Sequence, residues 1–144
     1  MNEEELQRGL ATLELLKLQI ENLQKQIEAL QISIQDNERA IETLEGYMNM
    51  DEEEILVPVG SGVFISARIR DKKGIISIGN DLFVEIPIDK MLENLRERRK
   101  KYDELLSKLN LDMKRLQENY AVLSNKVEKE YRKYLEEMKN VQSP

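Results

Sequence analysis

Three stretches of this sequence carry groups of the kind that do chemistry. Glu52-Glu53-Glu54 sets carboxylates side by side, as an acid/base pair or a hard-cation site would need. Gly60-Ser61-Gly62 has the small residues of a phosphate-cradling loop. Arg96-Glu97-Arg98-Arg99-Lys100-Lys101 is a basic run of the kind that meets phosphodiesters. Each lacks its complement. The chain has 144 residues with no histidine and no cysteine, which excludes imidazole bases, thiolate nucleophiles, Cys/His zinc sites and disulfides. The glycine run has no Gly-Lys-Ser/Thr after it and lies between strand-like segments, so it reads as a tight turn. The basic run has no aromatic residue interleaved. The carboxylates have no pocket-forming core around them and read as a solvated cluster. The expectation is no catalytic residue, no metal, no cofactor, no nucleic acid and no enzyme activity.

The elements that must position any other function follow from composition and periodicity. Charged residues make up 35% of the chain and aromatics 5%, with no Trp, a balance that suits long solvated helices better than a thick core. The longest uncharged stretch, Ile55 to Ala67, has 13 residues and is broken by Pro58, Gly60 and Gly62, too short for a membrane span of about 20. The first residues, MNEEE, are acidic where a secretory signal is basic. These features predict a soluble, cytoplasmic protein without membrane contact.

A 3-4 spacing runs through Leu6, Gly9, Leu13, Leu16, Ile20, Leu23, Ile27, Leu30, Ile34, Asn37, Ile41 and Leu44. Isoleucine fills one heptad position at Ile20, Ile27, Ile34 and Ile41, the pattern of a narrow coiled-coil seam. A second series runs through Ile88, Leu92, Leu95, Arg99, Tyr102, Leu106, Leu109, Met113, Leu116, Tyr120, Leu123 and Val127. It then shifts to Tyr131, Tyr134, Met138 and Val141, which predicts a stutter. Each helix would span roughly 60–80 Å at about 1.5 Å per residue.

Between them the period falls to two. Ile55 to Val59 and Val63 to Ile69 flank the Gly60-Ser61-Gly62 turn. After a turn at Asp71 to Gly74, Ile75 to Ile78 and Leu82 to Ile86 flank Gly79-Asn80-Asp81. Pro87 closes the region, and Asp89 is placed to cap the last helix. The chain thus divides into an N-terminal coiled-coil helix (1–50), two hairpins (51–87) and a C-terminal coiled-coil helix (88–144), an α+β fold. Two isolated hairpins cannot stabilise themselves in water. Ile55, Val57, Val59, Val63, Ile65, Ile69, Ile76, Ile78 and Phe83 are therefore expected to pair with other chains.

Pairing seam residues whose numbers add to 136 matches both helices in one antiparallel register, and sets Asn37 opposite Arg99 as a buried polar pair. Charge agrees. Residues 1–54 hold 4 Lys/Arg against 14 Asp/Glu, and residues 88–144 hold 14 against 11, so the acidic helix attracts the basic one. The register leaves Tyr131, Tyr134, Leu135, Met138 and Val141 almost without a partner helix, with Leu6, Leu10 and Leu13 near the same end. Flexible Leu, Met and Tyr side chains repack around varied partners. These eight residues are the candidate surface for nonpolar clients, against the plainer alternative of a frayed terminus.

The string EEILVPVGSGVFISARI (Glu53 to Ile69) and ISIGNDLFVE (Ile76 to Glu85), set between two coiled-coil helices, resemble the alpha class of the prefoldin family, most closely its archaeal form. Two hairpins rather than one carry the resemblance to the alpha class. The resemblance implies a hexamer of two alpha and four beta subunits, built on a β-barrel platform from which coiled coils hang. It further implies a chaperone that captures non-native proteins at the coil tips without ATP and passes them to a group II chaperonin. A structural scaffold or tether that binds one defined folded partner is the competing reading of the same features.

Overall fold

The computed structural model describes residues 2–50 and 54–142. The acidic residues Glu52 and Glu53 lie outside them. Two helices, α1 (Glu3–Met48) and α2 (Ile88–Gln142), enclose four strands in sequence: β1 (Glu54–Gly60), β2 (Val63–Arg68), β3 (Lys73–Gly79) and β4 (Leu82–Pro87). The expected α+β class is the one observed. The chain forms two compact units, one of residues 1–31 with 104–144, the other of residues 32–103.

α1 starts where its sequence provides for a start. Asn2 Oδ1 accepts from the amide of Glu5 at 2.8 Å, an N-cap bond. Glu3, Glu4 and Glu5 place negative charge on the positive end of the helix dipole. α2 begins one residue earlier than its expected cap. Ile88 is already helical, and Asp89 sits inside the first turn, its carboxylate accepting from the amide of Lys90 at 2.9 Å. The Ile88 amide is satisfied by the carbonyl of Lys72 at 2.9 Å instead, so no side-chain cap is needed there.

In the unit of residues 1–31 and 104–144, the helices run antiparallel along the seam. Leu6, Ile27, Leu30, Met113 and Val127 are buried, and Leu13, Leu16, Ile20, Leu23, Leu106, Leu109, Leu116, Tyr120 and Leu123 are half-buried. Gly9 meets Val127 so closely that a Cβ added there would lie 2.8 Å from the valine Cγ2. That pair adds to 136, as the register requires. The expected stutter is absent. After Val127 the partly buried positions are Glu130 and Tyr134, which continue the 3-4 spacing, while Tyr131 is 48% exposed. Glu130 takes the seam position, with its carboxylate 3.9 Å from Lys133 Nζ.

In the unit of residues 32–103, Ile41, Ile88, Leu92 and Leu95 form the core, with Leu44, Tyr47, Met48 and Ile69 packed against it. Asn37 is buried here, but it does not pair with Arg99. Its Nδ2 donates to the carbonyl of Leu95 at 3.0 Å, and its Oδ1 has no partner among the described residues. Arg99 extends past the seam to Glu38 Oε1 at 3.2 Å, and Arg96 reaches Glu45 Oε1 at 2.9 Å. A guanidinium on a long stem reaches water and a carboxylate at once. A buried pairing with a neutral amide would strip it of both.

The hairpins are two copies of one plan, displaced by 19 residues from Glu54 to Lys73. β1 pairs antiparallel with β2 and β3 with β4, and each pair has the same alternation of half-buried and exposed positions. The loops are the two-residue turns Ser61-Gly62 (φ 51° and 74°) and Asn80-Asp81 (φ 51° and 57°). Both central residues are left-handed, the type I′ geometry that matches strand twist. The preceding Gly60 (φ 114°) and Gly79 (φ 95°) occupy backbone that side chains rarely adopt, and the register shifts there. The turn at Asp71-Lys72 ties the hairpins to the helices. Besides the Lys72 carbonyl already described, its Nζ donates to the carbonyl of Met48 at 3.1 Å. It thereby puts a cation at the end of α1, whose last turn has no basic residue of its own.

Candidate functional site

Two surfaces combine apolar exposure with a defined backbone. The first is the hairpin pair. Strand pairing sets Ile55, Val57, Ile65 and Ala67 on one face of β1–β2 and Leu56, Pro58, Phe64 and Ser66 on the other. Ile55, Val57 and Ala67 are half-buried, whereas Leu56, Phe64 and Ile65 are exposed. In β3–β4, Ile76 and Ile86 are half-buried while Ile75, Ile78, Leu82 and Phe83 are exposed. Both faces of each hairpin are therefore apolar. Of the nine residues expected to pair with other chains, Val59, Val63, Ile65, Ile78 and Phe83 are open, Ile55, Val57 and Ile76 are half-covered, and Ile69 belongs to the intrachain core. Leu56, Phe64, Ile75, Leu82 and Val84 extend that surface. Their signal was in the sequence as apolar residues at the intervening positions of the strands, Leu56 and Phe64 in β1–β2 and Ile75, Leu82 and Val84 in β3–β4.

An open crevice of about 680 Å³ lies at the root of the hairpins, floored by Leu44, Ile69, Ile75 and Ile88 and rimmed by Arg68 and Arg70. Among the described residues no group of three or more His, Cys, Asp or Glu could hold a metal ion. None of the described helices is long and apolar enough to cross a membrane.

The second surface is the last part of α2. Tyr131, Leu135 and Met138 recur at helical spacing and are 43–48% exposed, with Val141 at 85%. Tyr134 is half-buried, and a groove of about 260 Å³ runs between it, Glu137, Met138 and Val141. Leu10 is 48% exposed on α1. Leu6, at 6%, and half-buried Leu13 are seam residues. Their spacing from Gly9 and Leu16 commits them to α2, which leaves Leu10 as the open member of that trio. The charges around this stripe are mixed. Arg132 Nη2 lies 2.7 Å from Glu128 Oε1, an exposed pair of the kind worth less than about 1 kcal/mol. The surface can remove nonpolar groups from water without selecting strongly for charge.

Comparison with known proteins agrees with this geometry. The prefoldin subunit family matches residues 16–133. The chain is 31% identical over 130 residues to a prefoldin subunit alpha of Pyrococcus horikoshii, covering 88% of each chain. To that of Archaeoglobus fulgidus it is 31% identical over 110 residues, covering 75% of this chain and 80% of the relative. Its fold is similar to a chain of the filamentous PFD from Methanocaldococcus jannaschii seen by cryo-electron microscopy. The TM-score is 0.65 and the identity 21%, over 83% of this chain and 98% of that one. With two helices around two hairpins, a family match over most of its length and relatives named as alpha subunits, the chain belongs to the prefoldin family of chaperone subunits.

Proposed function

We propose that this chain is an alpha-type subunit of a cytoplasmic holdase that captures non-native proteins at its coiled-coil tips without nucleotide and passes them to a group II chaperonin. The observation that carries this reading is the exposed stripe of Tyr131, Leu135, Met138 and Val141 at the end of α2. A non-native chain exposes apolar segments, and each Å² removed from water contributes about 25 cal/mol. One stripe offers little area, so one contact is weak and reversible. Several arms on one client raise the apparent affinity through effective concentration without making any contact permanent.

The hairpins supply the means of joining arms. A two-stranded sheet with both faces apolar is unstable alone and finds cover by pairing with hairpins of other chains. The family resemblance points to beta-type subunits, in a hexamer with two copies of this chain.

The test is light scattering from a chemically unfolded protein diluted into buffer containing this chain assembled with its beta-type partner. Suppression without ATP, lost when residues 131–144 of this chain and the corresponding tips of the partner are removed from an assembly of unchanged size, is the expected result. An intact assembly that leaves scattering unchanged would sink capture and favour a tether for one folded partner.

A further inference from the structure

The two hairpins follow one plan, but their outer edges are not alike. Each sheet has two strands among the described residues, so every strand has one side without a ladder partner. Pro58 pairs with Phe64 in the β1–β2 ladder although it has no N–H to give. The bonds around that pair are therefore made by its neighbours, and the Pro58 nitrogen faces away from β2. Alternation then turns the backbone groups of Glu54, Leu56 and Pro58 outward on β1, and those of Phe64, Ser66 and Arg68 outward on β2. In the second hairpin Pro87 has the same relation to Lys73. One step outside that pair the Ile88 amide bonds the Lys72 carbonyl at 2.9 Å, which fixes the same parity directly. Ile75 and Ser77 thus turn their amides outward on β3, and Phe83 and Glu85 on β4. Ser77 and Pro58 hold the corresponding place in the two hairpins, each the last paired residue before the register shift at a glycine. The outward amide of Ser77 is the one that Pro58 lacks.

We propose that Pro58 is the register stop of the joint between chains: a strand of the beta-type subunit pairs with β1 only as far as Leu56, whereas β2 accepts one along its whole length. This inference rests on the hairpin assembly proposed above. An open ladder edge is a row of amides and carbonyls, which an extended strand satisfies and a helix does not. On β2 that row is complete. On β1 it has no donor at Pro58, and the ring carbon Cδ fills the place where an incoming carbonyl would accept. Only Glu54 and Leu56, at the end of β1 remote from its turn, can exchange both bonds with a neighbour. β1 does not extend by pairing with itself. Centred on Leu56, two copies would set Glu54 against Pro58 twice and lose a bond each time. Centred on Ile55, they would keep only Glu54 against Leu56. The stop also has a use. Ile55 to Val59 is an uncharged apolar run on an open edge, of the kind that keeps adding strands unless a proline interrupts it. Ending the neighbour at Leu56 staggers it toward the root of the hairpin, and a sheet closes on itself only when its strands are staggered.

The test uses the full chain assembled with its beta-type partner, and follows amide hydrogen exchange residue by residue together with sedimentation velocity. Relative to the chain alone, assembly is expected to slow the amides of Phe64, Ser66 and Arg68 on β2 and that of Leu56 on β1. Pro58→Ser gives the first hairpin the residue that the second has at Ser77. It leaves the intrachain ladder intact, because Pro58 makes no bond to β2. The amide introduced at position 58 is expected to slow on assembly, and the complex to shift to larger, mixed species as the stagger is lost. Pro58→Ala, which restores the amide without a hydroxyl, is expected to do the same. Circular dichroism checks that both variants stay helical. Either change without the other, or neither, overturns the inference and leaves hairpin assembly standing. If the chain without its partner protects the Leu56 amide as well as the complex does, the neighbour is a second copy and the inference also fails. If assembly slows none of the outward amides, strands do not join the chains, and hairpin assembly fails together with the inference.

Discussion

At the scale of single residues, Asn37 and Gly9 show how a seam gives up stability for definition. Asn37 is 5% exposed and leaves Oδ1 without a partner among the described residues, a cost of about 1–3 kcal/mol. Asn37→Leu is therefore expected to raise the unfolding free energy by about 1–2 kcal/mol, read as a higher denaturant midpoint of helix loss followed by circular dichroism. A lower midpoint would mean that the single bond to the Leu95 carbonyl outweighs the orphaned oxygen. Gly9 is a poor helix former kept where Val127 comes close. Gly9→Leu should cost about 1–3 kcal/mol by overpacking, read in the same titration. A rise in stability would show that the helices part there without penalty. Neither residue's role could be assigned from sequence alone. The seam showed Gly9 and Asn37 as exceptions, and the register set Asn37 against Arg99, but which atoms meet depends on side-chain length. Arginine reaches past the seam to Glu38, and asparagine cannot.

At the scale of elements, periodicity carried most of the fold. Every residue of the first seam series, from Leu6 to Leu44, is buried or half-buried. The same holds for the second from Ile88 to Val127, because a 3.5-residue repeat of large apolar groups has one way to leave water. It misled beyond Val127, where Tyr131 looked like a seam residue and the helix placed Glu130 there. Hydropathy reads which side chain gains from burial, whereas an unbroken helix decides which one points inward. The hairpins were legible from Gly60-Ser61-Gly62 and Gly79-Asn80-Asp81, since few residues accept left-handed backbone. The expected pairing residues took in Ile76 and Phe83, on opposite faces of β3–β4, but left out Leu56 and Phe64 on the second face of β1–β2. Charge on either face should have the same effect on assembly. Ile65→Asp on one and Phe64→Asp on the other are each expected to dissociate the complex with beta-type subunits in sedimentation velocity, with the helical spectrum retained. A full-sized complex from either variant would remove that face from the interface.

At the scale of the whole molecule, most apolar residues serve a seam that is satisfied within the chain, hairpins that are not, and the exposed end of α2. The last two have unrelated physical demands. The hairpins offer backbone edges and β-branched side chains on a rigid twist, which select a matching strand. The end of α2 offers Tyr, Leu, Met and Val on a single helix, which can repack around many sequences. This division supports permanent assembly at one surface and transient capture at the other. The central claim is that the second surface binds chains only while they are unfolded. A photo-cross-linking side chain at Met138, with a second at Lys100 as control, in the complex with beta-type subunits, tests it most directly. Under the proposed function, a client freshly diluted from denaturant becomes linked at position 138 and not at 100, and the same client in its folded state is linked at neither. Linking of the folded client at 138, or no linking of the unfolded one at 138, would contradict the account.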